Sequence, residues 1–177
     1  AYVPVDLEDM RLFLAALPRA EPVHVVGLGS NLLVRDGGLR GTVIFTHGAL
    51  NELRSEGHAI YAQSGVPSPK LARFAALHEL VGAEFMAGIP GTVGGALTMN
   101  AGCYGGETWG IVESVTTLDR TGQLRQRTPA DYELSYRHVK LREANEEWFA
   151  AARFGLPRGD GDPARGRVLP PQRARRE

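Results

Sequence analysis

The chain has 177 residues, of which 43% are hydrophobic, and this size predicts one globular domain or two small ones. Twenty Lys and Arg balance twenty Asp and Glu, which argues against a general nucleic-acid binder. The sequence holds no apolar run near the ~20 residues of a membrane span and opens with no secretory signal. A single cysteine, Cys103, excludes an internal disulfide and fits a reducing compartment. We therefore expect a cytoplasmic protein without a membrane or nucleic-acid partner.

Residues 1–49 predict a small α/β unit. Asp6 is placed to cap a helix whose apolar residues recur at helical spacing, and Pro18 ends that helix. The apolar runs that follow predict three strands. These runs are Val23–Val26, Leu32–Val34 and Val43–Thr46.

A turn with two glycines follows the first predicted strand. Gly27 and Gly29 turn the chain sharply, and Ser30 and Asn31 add small polar groups. Consecutive N–H groups in such a turn form a concave nest for an anion. The pattern is not the dinucleotide-binding Gly-x-Gly-x-x-Gly, because position 32 is Leu and a strand rather than a helix is predicted next. A tight turn without a ligand is the alternative interpretation.

Residues 50–154 predict a second unit. Its helix begins at Ser68, where a capping residue precedes Pro69, and ends at Gly82. Thr128 and Pro129 start a short helical turn that Tyr136 and Arg137 close. The predicted strands are Ala59–Gln63, Val112–Leu118, Leu124–Arg127 and Trp148–Phe154.

A second glycine-rich segment runs from residue 87 to residue 105. Thr92 follows Pro90 and Gly91 as if it caps a short helix. The amino end of such a helix offers free N–H groups to a phosphate. A turn-rich connector is the alternative, but two phosphate-compatible loops in one small chain are stronger evidence than either loop alone. We expect Cys103, inside this segment, to be a small packing residue rather than a nucleophile.

Two further groups of side chains have chemical potential. Tyr136 and Arg137 combine an aromatic face with a permanent positive charge that can clamp a carboxylate. The alternative is a surface Arg beside a core Tyr. The five histidines show no metal-ligand spacing, so no metal site is predicted.

Four motifs in order resemble the UDP-N-acetylenolpyruvoylglucosamine reductase family, and the resemblance covers residues 1–154. They are residues 27–34 with 36–38, residues 88–96, residues 100–105 and residues 135–137. The resemblance implies an α+β fold, namely a two-subdomain FAD-binding module of the vanillyl-alcohol-oxidase type. Its subdomains would be residues 1–49 and 50–154.

The resemblance also implies chemistry. FAD would be held without a covalent link, and NADPH would reduce it. The flavin would then pass hydride to the enolpyruvyl double bond of a UDP-sugar, giving UDP-N-acetylmuramate for peptidoglycan synthesis. Arg137 would be the catalytic residue, stabilising charge near the flavin and the substrate carboxylate, and Tyr136 would contact the substrate. The FAD contacts would be Gly27, Gly29, Ser30, Asn31, Leu32, Gly88, Ile89, Pro90, Gly91, Thr92, Gly94, Gly95, Asn100 and Gly102.

The sequence departs from the family after Arg137. Val139 stands where the family commonly has a Ser, and the substrate domain that supplies a Ser proton donor and a catalytic Glu has no counterpart. Residues 155–177 form a basic, Gly- and Pro-rich tail or the opening of a missing domain. We therefore expect an incomplete, flavin-binding part that lacks turnover. Another flavin oxidase or dehydrogenase of the same fold, or a non-catalytic module that binds an anion or a partner, are the alternatives.

Overall fold

The structure of the protein is a computed structural model that describes residues 1–159. The sequence predicts a tail or a new domain over residues 155–177, and residues 160–177 of that segment lie outside the described residues. The helices are α1 (Leu7–Ala16), α2 (Ser68–Leu77) and α3 (Val93–Met99). The strands are β1 (Val23–Val26), β2 (Thr42–Phe45), β3 (Leu53–Glu56), β4 (Ala59–Gln63), β5 (Gly102–Cys103), β6 (Gly106–Glu107), β7 (Val112–Asp119), β8 (Leu124–Arg127), β9 (Tyr132–Ser135), β10 (His138–Leu141) and β11 (Glu147–Gly155).

The centre of the molecule is an antiparallel sheet in the order β3-β4-β11-β7-β8. Strand β11 pairs with β4 on one side and β7 on the other, so that Ala152 faces Ala62 and Val115 across the ladders. Helix α3 packs against this strand. The main core lies there and includes Ile60, Leu71, Val93, Leu97, Trp109 and Phe154.

The amino-terminal part is built on a parallel pair, β1 with β2, which Tyr2 extends by a single bridge to Ile44. Helix α1 is capped by the Asp6 carboxylate, which accepts from the Asp9 N–H, and it buries Met10 and Leu14 against this pair. The same core cluster includes Leu118 and Ala150 of the central sheet. A division at residue 49 stays a prediction.

Three sequence predictions are wrong, and the first two concern residues 32–34 and the end of helix α2. Residues 32–34 form no strand: every residue from 31 to 40 is exposed, and the Leu32 N–H closes a turn onto the Gly29 carbonyl. Without a partner strand, an apolar run has no ladder to join. Helix α2 ends at Leu77 rather than at Gly82, because Glu79 takes a left-handed φ of 57° and the Leu80 N–H bonds back to the Ala75 carbonyl.

Other predictions agree with the structure, and some elements were missed. Strands β1, β4 and β8 have the predicted bounds, and Thr128 forms a capping box with Asp131. That short turn ends at Asp131, however, and Tyr136 with Arg137 instead closes the unpredicted hairpin of β9 and β10. The predicted α+β class is confirmed. Over residues 1–159, none of the helices combines the length and apolar character required to cross a membrane.

Candidate functional site

The two glycine-rich segments meet at one cleft. They touch directly: a Cβ placed on Gly27 would lie 2.2 Å from Thr92 Oγ1, and one placed on Gly91 would lie 3.1 Å from Ser30 Oγ. The cleft beside this contact has a volume of about 1070 Å³. That volume matches the upper end of the roughly 300–1,000 Å³ usual for small-molecule sites.

All the site residues predicted from the sequence line this cleft. From the first turn they are Gly27, Gly29, Ser30, Asn31 and Leu32. From the second segment they are Gly88, Ile89, Pro90, Gly91, Thr92, Gly94, Gly95, Asn100 and Gly102. Tyr136 and Arg137 line the cleft from the hairpin of β9 and β10. Residues more than a hundred positions apart in sequence thus face the same space, although their individual roles stay predictions.

Main-chain hydrogen bonds fix the second glycine-rich segment. The Gly94 N–H donates to the Ser64 carbonyl at 2.9 Å, and the Val93 N–H donates to the Val66 carbonyl at 2.8 Å. The Thr92 side chain caps α3 by accepting from the Gly95 N–H at 3.4 Å, as its position in the sequence predicts. This wall of the cleft is therefore set by the fold before any ligand enters.

The glycines of the cleft serve three different purposes. Gly88 leaves room for the protein itself, because a Cβ there would lie 2.5 Å from Cys103 Sγ. Gly29 is needed for its backbone, since its φ of 71° is in the left-handed region. Gly95 differs from both: the nearest protein atom to an added Cβ is 3.7 Å away. A side chain at Gly95 would therefore enter the cleft rather than the protein.

Asn100 joins helix α3 to the hairpin that carries Arg137. It ends the helix at a left-handed φ of 42°, and its Nδ2 donates to Glu107 Oε2 at 3.1 Å and to the Ser135 carbonyl at 3.2 Å. Its Oδ1 accepts from the Trp109 N–H at 3.2 Å. These bonds occupy most of the amide and hold helix α3 against the hairpin, and the FAD contact of Asn100 stays a prediction.

Tyr136 and Arg137 form the two-residue turn between β9 and β10. Tyr136 is 78% exposed, which excludes the alternative that it is a core residue. Arg137 is exposed, takes a left-handed φ of 51°, and places its guanidinium carbon 5.7 Å from the centre of the Tyr136 ring. A non-glycine residue in this conformation costs of order 1 kcal/mol. The turn thus presents a positive charge at the cleft where a glycine would be easier to accommodate.

Sequence reasoning missed a buried carboxylate at the cleft. Glu147 begins β11, its side chain is 3% exposed, and it pairs with Arg127 at 2.6 Å. It also accepts from the Thr117 hydroxyl at 2.7 Å and the Asn145 amide at 2.9 Å. Burial raises the pKa of Glu147, but these hydrogen bonds outweigh it and hold the pKa below its usual value. Only the strand order β11-β7-β8 in the central sheet brings these residues together, and no local motif signals it.

Ser64 is a second residue that the sequence did not mark. It lines the cleft between β4 and α2, it is 1% exposed, and its hydroxyl has no hydrogen-bond partner among the described residues. Two features of the cleft thus fit an extended, phosphate-bearing cofactor: an open glycine face at Gly95 and the exposed guanidinium of Arg137. Residues 1–159 contain no grouping of three or more His, Cys, Asp or Glu suited to a metal ion.

The chain belongs to the FAD binding domain family, whose pattern matches residues 2–127. It is 54% identical to the UDP-N-acetylenolpyruvoylglucosamine reductase of Thiobacillus denitrificans, over 94% of this chain and 56% of that protein. The enzyme of the same name from Methylococcus capsulatus is 51% identical, over 94% and 55%. The crystal structure of UDP-N-acetylenolpyruvylglucosamine reductase from Thermus caldophilus superposes with a TM-score of 0.75 at 29% identity, covering 90% of this chain and 56% of that one.

These similarities confirm the resemblance drawn from the motifs. The chain spans about half the length of the curated relatives it matches. The sequence prediction of an FAD-binding module is confirmed by the family, and the activity of a whole enzyme is a separate question.

Proposed function

We propose that this chain is the FAD-binding part of an NADPH-dependent UDP-N-acetylenolpyruvoylglucosamine reductase. The observation that carries the proposal is the single cleft lined by both glycine-rich segments and by Arg137. The relatives that share half of this chain's residues carry that enzyme's name. Their agreement argues against a different flavin oxidase or dehydrogenase of the same fold.

The two glycine-rich segments hold the cofactor without a covalent bond. The turn from Gly27 to Leu32 directs main-chain N–H groups at the diphosphate, which such a nest attracts through its partial positive charge. Gly91 and Gly95 allow the cofactor to approach the backbone closely, because neither carries a side chain into the cleft. Contact between the two segments at Gly27 and Thr92 fixes the position of the first turn relative to the open glycine face of the second segment.

Arg137 and Tyr136 act on the substrate at the open side of the cleft. FAD, when bound, supplies hydride transfer between NADPH and the enolpyruvyl double bond of the UDP-sugar. The guanidinium of Arg137 binds the substrate carboxylate, where it stabilises negative charge that develops on the substrate. Tyr136, which is exposed beside it, contacts the substrate through its ring and hydroxyl.

The product would be UDP-N-acetylmuramate, a peptidoglycan precursor, which connects the protein to cell-wall biogenesis and through it to cell shape and division. The proposed location is the cytoplasm, which the single cysteine fits. The proposed partners are small molecules alone: the cofactor, NADPH and the UDP-sugar.

An absorbance spectrum of the purified chain tests the proposal. We expect a yellow protein with flavin absorbance that releases FAD on denaturation. A colourless chain that also gains no absorbance change when titrated with FAD would contradict it. Addition of NADPH to the FAD-loaded chain then tests the electron donor. Bleaching of the flavin absorbance would support NADPH as the donor.

A further inference from the structure

Arg120 holds a cluster of main-chain carbonyls that lies far from it in sequence. Its Nη2 donates to the carbonyls of Pro18 at 2.9 Å and Arg19 at 3.2 Å, and also to the carbonyl of Glu21. These carbonyls belong to the loop between helix α1 and strand β1, whereas Arg120 directly follows strand β7 of the central sheet. One side chain thus joins the amino-terminal part of the molecule to the central sheet.

The contacts of Arg120 leave part of its guanidinium unsatisfied. Its Nε and Nη1 are buried and have no hydrogen-bond partner among residues 1–159. Its acceptors within this range are main-chain carbonyls rather than a carboxylate. Burying polar groups without partners costs free energy, and native proteins contain few of them. The position therefore calls for an explanation, and the junction made by the Nη2 contacts supplies one.

The turn that carries Arg120 is itself firmly held. The Asp119 carboxylate, which is 4% exposed, accepts from the Thr121 N–H at 2.8 Å and from the Gln123 N–H at 3.0 Å. Gly122 lets the turn lie against helix α1, because an added Cβ there would collide with the main chain of that helix. The guanidinium therefore extends from a fixed base.

Strand β1 connects this junction to the cleft. It begins just after the loop that Arg120 holds, and it runs directly into Gly27 of the first glycine-rich turn. The four residues of the strand span about 13 Å. At the far end of the strand, Gly27 meets Thr92 of the second segment. Contacts near both ends of β1 thus tie it to the part of the molecule that forms the opposite wall.

We propose that Arg120 is a positioning residue for the cofactor, because it fixes the start of β1 and through this strand the placement of the Gly27–Leu32 turn. The proposal rests on the proposed function, in which the N–H groups of this turn bind the diphosphate. Donors that already stand in place lose little freedom when a ligand binds, so they bind it more tightly. Arg120 does not line the cleft, and its effect on FAD is therefore indirect.

Paired substitutions test this assignment in the 177-residue chain. Arg120→Met keeps an unbranched apolar side chain and removes every donor. The dissociation constants of FAD and of riboflavin, which has no diphosphate, are measured by quenching of flavin fluorescence. We expect FAD binding to weaken about tenfold, which is ~1.4 kcal/mol, and riboflavin binding to stay unchanged. If circular dichroism shows that Arg120→Met does not fold, Arg120→Gln is measured in its place with the same expectation.

The matched control is Arg153→Met. Arg153 extends from β11 of the central sheet and pairs with Glu56 at 3.5 Å and Glu113 at 3.3 Å. It does not line the cleft, and it makes no hydrogen bond to the loop before β1. This variant should change neither dissociation constant.

Amide hydrogen exchange without ligand supplies a second readout. Relative to wild type, the Arg120 variant should exchange faster over residues 18–27 and at an unchanged rate over helix α2. Loss of a contact that only stabilises the whole fold would instead raise exchange in both segments.

Several outcomes would overturn the inference alone. They are wild-type FAD affinity in a folded Arg120 variant, an equal loss of FAD affinity in Arg153→Met, an equal loss for FAD and riboflavin, or exchange that rises evenly over residues 18–27 and helix α2. A wild-type chain that binds neither flavin would instead contradict the proposed function. The exchange comparison needs no ligand, so it would still test whether Arg120 fixes the start of β1.

Discussion

The two walls of the cleft are built in opposite ways. The inner wall, made of residues 88–102 with the start of β11, is held by main-chain hydrogen bonds, the Asn100 amide and the buried pair of Glu147 with Arg127. The outer wall, residues 27–40, follows β1 as a turn and an exposed segment without a helix or strand. Both walls contain a glycine-rich motif of the same apparent kind.

The difference shows that similar motifs need not be equally ordered by the fold. The inner wall draws its support from residues far away in sequence, such as Glu147 of β11 and Ser135 of β9. The outer wall is supported mainly where Gly27 meets Thr92 and Ser30 meets Gly91. We therefore expect substitutions in the inner wall to affect both folding and binding, and substitutions in the exposed segment to leave folding unchanged.

The largest effect is expected for Glu147→Ala. Loss of this carboxylate leaves the mostly buried Arg127 with Glu143 alone and removes the acceptor of the Thr117 hydroxyl. Breaking a buried ion pair typically costs about 3 kcal/mol of unfolding free energy. Urea denaturation measures the change. Glu146→Ala is the matched control, since Glu146 is the neighbouring residue and is exposed. An equal loss of unfolding free energy in both variants would mean that the pair of Glu147 with Arg127 does not stabilise this wall.

The next effect concerns binding at the same wall. Gly95→Val should weaken FAD binding by about a hundredfold, ~2.7 kcal/mol, because its side chain projects into the cleft. Gly91 is a less clean site, since a Cβ there would also press on Ser30. The control is Gly110→Val, where no protein atom lies within 4 Å of an added Cβ and which does not line the cleft. Flavin fluorescence titration measures the FAD affinity of both variants. Tight FAD binding by Gly95→Val would contradict the proposal that the cofactor lies against helix α3.

Gly95 and Glu147 also mark the limit of what the sequence predicts. Gly95 belongs to a local motif, and local motifs located every predicted site residue at the cleft. Glu147 and Ser64 have no motif, because strand register and the approach of α3 place them there. The same limit applies to the fold: Ala59–Gln63 was predicted to the residue, whereas the apolar run at residues 32–34 lacks the long-range partner that would make it a strand.

A pH effect on stability is expected from two carboxylates, Glu147 in the inner wall and Asp119 at the end of β7. Hydrogen bonds hold the pKa values of Glu147 and Asp119 below their ordinary 4.5 and 3.8, although burial acts the other way. A lowered folded pKa means that the stabilisation is complete above the unfolded pKa and is lost as pH falls through the folded one. Unfolding free energy should therefore fall below about pH 4.5. Glu147→Gln should flatten this dependence, and an unchanged acid slope would show that other groups cause it.

The smallest effect is expected in the outer wall. Leu33 is 93% exposed in the segment without regular structure, so Leu33→Ser removes no buried apolar surface from the described residues. Its unfolding free energy should stay within about 0.5 kcal/mol of wild type. Leu14→Ser, in the amino-terminal core, is the contrast and should be strongly destabilising because Leu14 is fully buried. If Leu33→Ser instead unfolded at clearly lower urea concentration, the outer wall would have a packing partner in solution, and the contrast between the two walls would fail.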